Sequence, residues 1–326
     1  MEELDSKIIQ YVIQKNKLPR PIKAERFTSG VINRVYSLGK NYVIKIEGQG
    51  EHEILKPVPG LTEKLLSKGA KVPKILDFGE AEGNRYILME RVKGTNLVYN
   101  WLSLNDQDKE KIIDQLAEQL KIWHSFKFSE YCIPIVSFKP FGNLQPAIER
   151  LMNREINLIN KDSLPKDFVP YIETVKNFCQ EHIKELDETG TAVLVHQDIH
   201  LENIFHEGDK LTSIIDIDWS GQAPKDYELW KIMDVVHDPK YTVEGRLESL
   251  YQGYKMTKEL NWLKKYYPDL FKVPNLANRV RLYYADPLME TVVDFQNGRW
   301  SENALKKVAE KVKDFYQNEW LEEALS

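Results

Sequence analysis

Two short segments near the middle of the chain place polar side chains between apolar residues. In LVHQDIHLENIF, residues 194–205, Asp198 and Asn203 stand five positions apart. In KLTSIIDIDWSGQ, a strand-like run carries Asp216, thirteen positions after Asn203, and then Asp218. Carboxylate and amide oxygens are the ligands that Mg²⁺ prefers, and a further carboxylate can accept the proton of a hydroxyl group.

Phosphoryl transfer from a nucleotide requires such a set of groups. One carboxylate must orient the acceptor hydroxyl and take its proton, while an amide oxygen and another carboxylate hold Mg²⁺ against the phosphates. Asp198, Asn203 and one of the two later aspartates supply these groups at fixed offsets. Zn²⁺ would instead favour closed sets of His and Cys. The alternative is a loop in which Asp198 and Asn203 only cap backbone groups.

The elements that must position these groups change in type once along the chain. Residues 27–48 are short β-branched and aromatic runs broken by Gly and Asn, which is typical of antiparallel strands joined by tight turns. A helix is expected within residues 51–68. Two more strand-like runs follow, VPKILDFG at 72–79 and RYILMERV at 85–92.

Beyond Gly94 the spacing of apolar residues predicts long helices. The helical segments are 109–126, 167–187 and 302–322. The pattern predicts an α+β protein in which a small β-rich part, up to about residue 92, is joined to a larger helical part. Ligand sites favour junctions of this kind.

The composition excludes several classes of protein. The chain has 326 residues, 42% of them apolar and 29% charged, which is ordinary for a globular protein and excludes disorder. The net charge of −5 gives no basic surface for nucleic acid. Cys132 and Cys179 lack metal-ligand spacing, and no apolar run approaches the roughly 18 residues that span a bilayer. We expect a cytoplasmic protein that binds neither nucleic acid nor membrane; the oligomeric state is left open.

The pattern HxDxxxxN at residues 196–203, followed by Ile215 and Asp216, resembles the catalytic and metal-binding loops of the aminoglycoside phosphotransferase and choline kinase superfamily. The likeness continues through DIDWSGQAPKDYEL to Tyr227, where that family has Tyr-Asp-Leu. The resemblance implies a two-lobed protein-kinase-like fold over essentially the whole chain. Residues 1–92 would form the nucleotide-binding lobe, and residues 93–326 the catalytic and acceptor-binding lobe.

The same resemblance assigns roles to the residues of the two segments. It implies that Asp198 is the catalytic base and that Asn203 and Asp216 bind Mg²⁺, with ATP or GTP as co-substrate. Counting from Asn203 and from the Tyr-Asp-Leu position both select Asp216 rather than Asp218. His196 is interpreted as a hydrogen-bonded core residue that supports the loop, and His200, in the same loop, lines the site or packs.

A kinase also needs a cationic side chain on a strand to hold the α- and β-phosphates. Lys45 in YVIKIEG meets this need. It lies nine residues after SGVINRVY, which resembles the family's nucleotide-positioning loop and implicates Ser29 and Gly30. The segment LMERVKG resembles the linker whose main-chain groups bond the adenine, which implicates Glu90 and Val92.

A glutamate on the following helix should orient Lys45. Resemblance to homoserine-kinase-like relatives favours Glu53, and Glu51 and Glu63 are the alternatives. A solvated Glu53 without this role is the other interpretation.

Three departures separate the chain from protein kinases. Gln197 stands where those enzymes have the arginine that pairs with a phosphorylated activation loop. Asp216 is followed by Ile217 and Asp218 rather than by Phe-Gly, and the chain reaches DYELWKI with no room for an activation segment. A small hydroxylated acceptor is therefore favoured over a protein.

The resemblance makes an aminoglycoside or a similar amino sugar the preferred acceptor. Homoserine, choline and methylthioribose are alternatives within the same class of metabolic kinases. A nucleotide-binding pseudokinase that serves as a scaffold is the alternative of another class, and the intact Asp198, Asn203, Asp216 and Lys45 count against it. A metal-dependent hydrolase is disfavoured because the chain has no clustered multi-ligand site.

Three carboxylates near the C-terminus suggest how a cationic acceptor would be bound. In YYADPLMETVVDFQNG, Asp286, Glu290 and Asp294 are each four residues apart, so that they share one face if the segment is helical. Like charges at this spacing repel by a few tenths of a kcal/mol per pair. Solvent, or nearby Arg279 and Arg281, could compensate them; so could the ammonium groups of an amino sugar.

Overall fold

The computed structural model of the protein describes residues 3–27, 33–48, 54–130, 132, 148, 153, 156–186, 190–239 and 245–326. The chain divides into two compact units. Unit 1 comprises Met1–Trp123 and Leu201–Trp219, and unit 2 comprises His124–His200 and Ser220–Ser326. The lobe boundary that the resemblance implies after residue 92 stays a prediction.

Strands and helices alternate in the first third of the chain, and helices predominate later. The strands within the described ranges are β1 (Ala24–Arg26), β2 (Arg34–Leu38), β3 (Tyr42–Ile46), β4 (Ile75–Ala81), β5 (Asn84–Glu90), β6 (Thr95–Asn96), β7 (Lys127–Phe128), β8 (Ala192–Val195), β9 (Ile204–Glu207), β10 (Lys210–Ile214) and β11 (Gly221–Ala223). The α-helices are α1 (Glu3–Lys15), α2 (Val58–Ser67), α3 (Leu97–Asn100), α4 (Asp106–His124), α5 (Val169–His182), α6 (Leu229–His237), α7 (Thr257–Tyr266), α8 (Leu276–Gln296), α9 (Glu302–Val312) and α10 (Trp320–Leu325). The described 3₁₀ turns are Trp101–Ser103, Lys161–Ser163, Ile183–Leu186, Ile217–Trp219, Lys225–Glu228, Gly245–Tyr251 and Pro268–Leu270.

The main sheet of unit 1 is antiparallel and has the strand order β1-β2-β3-β5-β4. Its β3 strand is flanked by β2 and β5, and Lys45 faces Val35 on one neighbour and Ile87 on the other. A strand paired on both edges cannot shift its register without breaking both ladders. The sheet therefore fixes the position of the Lys45 backbone.

Helix α1 covers an apolar surface of this sheet. Its residues Ile8, Ile9, Val12 and Ile13 recur at helical spacing and are buried. They pack in one cluster with Tyr36, Leu38, Ile44, Ile46, Tyr86 and Leu88. Full burial of such a side chain contributes about 1.5–3 kcal/mol, so that α1 is an integral part of unit 1. This helix is an addition to the predicted elements.

A second, three-stranded sheet of unit 1 has the order β10-β9-β6 and is antiparallel. The chain enters β6 through Gly94, which has a φ of +87°. A Cβ at this position would lie 2.1 Å from the carbonyl oxygen of His206, on β9. Only glycine combines this conformation with so close an approach of two backbones.

Unit 2 contains the sheet β11-β8-β7, also antiparallel, and most of the helices. Its longest helix is α8, which includes Pro287 and buries most of its first half. Within the described ranges, no helix is long and apolar enough to cross a bilayer.

The α+β class predicted from the sequence is confirmed. The helix expected within residues 51–68 is found at Val58–Ser67, with Pro59 in its first turn, where proline is tolerated. The helix predicted over 302–322 is interrupted: α9 runs into a π-helical turn, Lys313–Gln317, before α10. That turn buries Phe315 within an aromatic group with Tyr284 and Trp320. Apolar spacing alone does not report such a change of pitch.

Candidate active site

Lys45 of unit 1 binds two carboxylates. Its Nζ donates to Oδ1 of Asp216 at 2.6 Å and to Oδ2 of Asp218 at 2.6 Å, and the lysine side chain is buried. Burial by itself would lower the pKa of Lys45, but the charges of the two aspartates outweigh it and raise that pKa above its ordinary value. The lysine is therefore a permanent cation at this position.

The two aspartates follow β10 directly and differ in exposure. Asp216 has a φ of +65°, in the left-handed region that costs a non-glycine residue of order 1–3 kcal/mol. Its side chain is 45% exposed, whereas that of Asp218, in the next turn, is 4% exposed. Burial raises the pKa of Asp218, and Lys45 opposes that rise. Asp216 is thus the carboxylate that solvent or a ligand can reach.

Asn33 is a further member of this group that the sequence analysis missed. Its Nδ2 donates to Oδ2 of Asp218 at 3.0 Å, and its Oδ1 accepts the N–H of Gly48 at 3.3 Å. Asn33 lies in the SGVINRVY segment, so that the only available signal was a polar residue in the predicted nucleotide-positioning loop. Lys45, Asp216, Asp218 and Asn33 are called the Lys45 cluster below.

Asn203 is linked to this cluster through the backbone. Its carbonyl oxygen accepts the N–H of Ile215 at 2.9 Å, and its side chain is buried. One amide and two carboxylates are hard oxygen donors, which suit Mg²⁺ and not Zn²⁺. Among the described residues, no group of three or more His, Cys, Asp or Glu side chains could hold a metal ion. The oxygen donors of Asn203, Asp216 and Asp218 are of the kind that Mg²⁺ takes.

Asp198 belongs to unit 2 and has two partners there. Its Oδ1 lies 2.9 Å from Nζ of Lys231, on α6, and its Oδ2 lies 3.3 Å from Nε2 of His200. Burial would raise the pKa of Asp198, but the contacts with Lys231 and His200 outweigh it and hold the pKa well below its ordinary value. Asp198 is an ionised carboxylate at neutral pH.

Glu228 stabilises the loop that carries Asp198. This fully buried glutamate accepts the N–H of His196 at 2.7 Å and the N–H of Gln197 at 3.0 Å, one with each carboxylate oxygen. Gln197 has a φ of +72°, and the Nδ1 of His196 accepts the Asp198 N–H at 3.2 Å. His196 is fully buried, as the sequence predicted. The structural role of Glu228 was missed, since nothing in Tyr-Glu-Leu indicates its partners.

The other predicted nucleotide residues are placed only in part. Glu90 ends β5, with its N–H donated to the Lys74 carbonyl at 2.9 Å, so that a base could use only its carbonyl oxygen. Val92 lies two residues beyond β5 and is half-buried. Glu63 is exposed on α2. Ser29, Gly30, Glu51 and Glu53 lie outside the described residues. The described ion-pair partners of Lys45 are aspartates rather than a glutamate.

The three C-terminal carboxylates lie on one helix, α8, but in different surroundings. Asp286 is buried, Glu290 is exposed, and Asp294 accepts from Arg299 at 3.0 Å. The two arginines considered as their compensation have other acidic partners. Arg279 binds Asp226 at 2.7 Å, and Arg281 binds Glu322 at 2.5 Å. Arg299, which the sequence analysis did not consider, pairs with Asp294, one of the three carboxylates.

Comparisons with known proteins identify a family and sequence relatives of the chain. A family model described as the phosphotransferase enzyme family matches residues 23–263. Two curated relatives are aminoglycoside 3'-phosphotransferases of Enterococcus faecalis and Staphylococcus aureus, which are 25% and 24% identical over 162 residues. Each match covers 48% of this chain. It covers 56% and 57% of the two relatives, so that the chain spans little more than half of their length.

Solved structures resemble the whole chain. They include aminoglycoside phosphotransferase APH(4)-Ia, with a TM-score of 0.68, 15% identity and coverage of 95% of this chain and 98% of that one. The GDP complex of aminoglycoside 2'-phosphotransferase-IIIa has a TM-score of 0.69, 16% identity and coverage of 96% and 99%. The streptomycin–ATP complex of APH(2")-IIa has a TM-score of 0.65, 15% identity and coverage of 97% and 99%. These likenesses confirm the protein-kinase-like fold.

The family assignment rests on the extent of the sequence match rather than on the structural likeness. The matched region begins just before β1 and ends in α7, so that it includes the Lys45 cluster, Asn203 and Asp198. With residues 23–263 of 326 matched, the chain belongs to the phosphotransferase enzyme family.

Proposed function

We propose that the protein is a small-molecule kinase that transfers the γ-phosphoryl group of ATP or GTP to a hydroxyl group of a small acceptor. An aminoglycoside or a similar amino sugar is the preferred acceptor. Membership of the phosphotransferase family supports the reaction class. The relatives solved with ATP and streptomycin, or with GDP, support a nucleotide co-substrate and an amino-sugar acceptor. The cytoplasmic location stays a prediction.

The observation that carries this proposal is the Lys45 cluster. A buried lysine on a central strand meets two aspartates that lie more than 170 residues later in the sequence, each at 2.6 Å. Burying a lysine costs free energy unless its ammonium is paired with an opposite charge. In the proposed complex the ammonium binds the α- and β-phosphates, which replace part of its contact with Asp216.

Magnesium would be held by the amide oxygen of Asn203 and the exposed carboxylate of Asp216. When bound, Mg²⁺ supplies positive charge that neutralises the phosphate oxygens. Asp218 is buried and keeps Lys45 and Asn33 in place. The predicted Ser29, Gly30, Glu90 and Val92 would contact the nucleotide through backbone groups, and Glu53 would support Lys45.

Asp198 is proposed to orient the acceptor hydroxyl. The hydroxyl oxygen forms a bond to the γ-phosphorus, and the bond between that phosphorus and the β–γ bridging oxygen breaks. The bridging oxygen leaves on the nucleoside diphosphate with the electron pair, and Asp198 receives the hydroxyl proton. A low pKa makes Asp198 a weak base, so that we assign most of its effect to orientation and charge.

A panel assay tests the proposed function. Purified protein is incubated with ATP or GTP, Mg²⁺ and, separately, aminoglycosides, choline, homoserine, methylthioribose and simple sugars, and nucleoside diphosphate release is measured. Acceptor-dependent release, highest with an amino sugar and lost in Lys45→Met, is expected. Release with choline or homoserine alone would move the protein to the metabolic kinases. Nucleotide binding without release for any acceptor would refute the kinase proposal in favour of a pseudokinase.

A further inference from the structure

Lys231 is placed against the proposed catalytic carboxylate by α6. Its Nζ lies 2.9 Å from Oδ1 of Asp198, and its side chain is only 18% exposed. The ammonium also lies 5.7 Å from the ring centre of Trp230, the preceding residue. A lysine on a short helix is normally solvated, so this partly buried contact requires an explanation.

Two side chains contact the Asp198 carboxylate, one at each oxygen. His200 places its Nε2 3.3 Å from Oδ2, whereas Lys231 places its Nζ 2.9 Å from Oδ1. The ammonium of a lysine is a compact point charge with three donors. Lys231 therefore makes the shorter of the two contacts with this carboxylate.

The neighbouring acidic groups have further partners, although Asp234 also interacts with Lys231. Burial would raise the pKa of Asp234, but the charges of Lys311 and Lys231 outweigh it and lower that pKa. Asp234, one turn further along α6, accepts from Lys311 and from the Tyr284 hydroxyl at 2.6 Å. Glu228 accepts two backbone N–H groups of the catalytic loop, and His196 accepts the Asp198 N–H. Of the described charged groups on α6, Lys231 is the one that contacts the Asp198 carboxylate.

The contact with Lys231 constrains the Asp198 carboxylate. An ammonium at Oδ1 favours the ionised form and restricts rotation of the carboxylate, so that its oxygens keep a fixed direction.

We propose that Lys231 is a positioning residue that keeps Asp198 ionised and fixes the direction in which it receives the acceptor hydroxyl. The inference rests on the phosphoryl transfer proposed above and adds to it a residue outside the sequence motif. Lys231 stands 33 positions after Asp198, in the DYELWKI segment, where spacing alone gives it no role.

Three variants test this role. Lys231→Met removes the charge at similar length, Lys231→Arg keeps it, and Lys264→Met is the control, because Lys264 is a partly buried lysine of α7 that donates to the Ser326 carbonyl. The kcat, the KM values for nucleotide and acceptor, and the thermal midpoint are measured for each, with the best acceptor of the panel.

Lys231→Met should lower kcat by roughly 10- to 100-fold, below the roughly 10²–10⁴ that a general base contributes, with the nucleotide KM changed less than about twofold. Lys231→Arg should recover most of this loss, and Lys264→Met should behave as the wild type. The acidic limb of kcat/KM should move to higher pH in Lys231→Met, since the pKa of Asp198 rises when its cation is removed. A protein with a merely structural lysine would show a lower thermal midpoint without this shift.

The outcomes separate the inference from the proposed function. An active wild type with an equally active Lys231→Met leaves the kinase function intact and overturns the role of Lys231. Equal loss in Lys231→Arg and Lys231→Met, with unshifted pH profiles, also overturns it. A wild type without acceptor-dependent turnover refutes the kinase function, and the inference falls with it.

Discussion

At the scale of single residues, Lys45 shares one ammonium group between two carboxylates that differ in burial. Asp216 is 45% exposed and Asp218 is 4% exposed. We expect Asp216→Asn to raise the Mg²⁺ concentration needed for half-maximal activity much more than Asp218→Asn. The reason is that the exposed carboxylate can turn to a metal ion, whereas the buried one is fixed by Lys45 and Asn33.

A Mg²⁺ titration of both variants at fixed nucleotide concentration measures this difference. If Asp218→Asn needs more Mg²⁺ for half-maximal activity than Asp216→Asn, the metal ligand is Asp218. The spacing from Asn203 would then have selected the wrong aspartate. Equal shifts would mean that both carboxylates bind metal, as in sites with two ions.

Asp198 should be needed for turnover but not for nucleotide binding. Asp198→Ala removes the carboxylate that is proposed to orient the hydroxyl, and turnover should fall by roughly 10²–10⁴. Titration with a fluorescent nucleotide analogue should give a Kd within about threefold of the wild-type value. The reason is that a substitution outside the nucleotide contacts usually has only a small effect on nucleotide binding. Unchanged turnover in a folded Asp198→Ala protein would contradict the assignment.

At the scale of elements, Glu228, next to the N-terminal end of α6, supports the loop that carries Asp198. Glu228→Ala would leave two buried N–H groups without their acceptor, at a cost of about 1–3 kcal/mol each. The free energy of unfolding should therefore fall by roughly 2–6 kcal/mol. Turnover should fall as well, because the same loop carries Asp198.

Denaturant unfolding measures this loss. Glu228→Gln keeps one carbonyl oxygen and is expected to lie between the alanine variant and the wild type. A Glu228→Ala protein as stable as the wild type would mean that the loop does not depend on this glutamate.

Helix α1 is attached to β4 through the carboxylate of Asp77. Lys15 and the hydroxyl of Tyr86 each donate to Asp77 at 2.9 Å, and Asn16 donates at 2.7 Å. Burial would raise the pKa of Asp77, but these hydrogen bonds outweigh it and lower the pKa below its ordinary value. The folded state thus prefers the ionised form, and the unfolded state binds the proton more readily at acidic pH.

This sign fixes a pH dependence. The stabilisation by Asp77 is complete above its unfolded pKa of about 4 and is lost as the pH falls through the lower folded value. Asp77→Asn should be less stable than the wild type by about 1–3 kcal/mol at pH 7, and the difference should shrink at more acidic pH. Unfolding curves at several pH values measure it, and a constant difference would contradict the assignment.

The sequence motifs pointed to candidate residues for chemistry, whose roles stay predictions, but they did not point to the contacts that hold these residues. The spacing of Asp198, Asn203 and Asp216 is visible within two neighbouring segments of the sequence. Lys45 lies in a run whose pattern predicts a strand. Contacts between distant segments leave no such signal. Asn33 contacts Asp218, which lies 185 positions later in the sequence, and polar residues of this kind are usually solvated.

At the scale of the whole molecule, the net charge of −5 favours cations, and the α8 carboxylates would concentrate this effect at the acceptor. Asp286→Asn with Glu290→Gln should weaken the apparent affinity for a cationic acceptor, most strongly at low salt, where charges are least screened. Nucleotide affinity should be unchanged. Because Asp286 is buried, the single variant Glu290→Gln, at an exposed position, separates a charge effect from misfolding.

Acceptor KM values at low and high salt measure this effect, with Glu302→Gln, an exposed position at the start of α9, as the control. A best acceptor without positive charge, or a KM that does not respond to these substitutions, would show that these carboxylates do not bind the acceptor.

The path of the chain between the two units has a consequence for synthesis on the ribosome. Unit 1 is interrupted after Trp123 and resumes only at Leu201, so that β6 has no partner until β9 has been made. At about 5–20 residues per second, the intervening segment takes roughly 4–15 s to translate. During that interval the nascent chain exposes Lys45 without its aspartates and β6 without its neighbour. Unit 1 therefore cannot complete its folding until part of unit 2 has been translated.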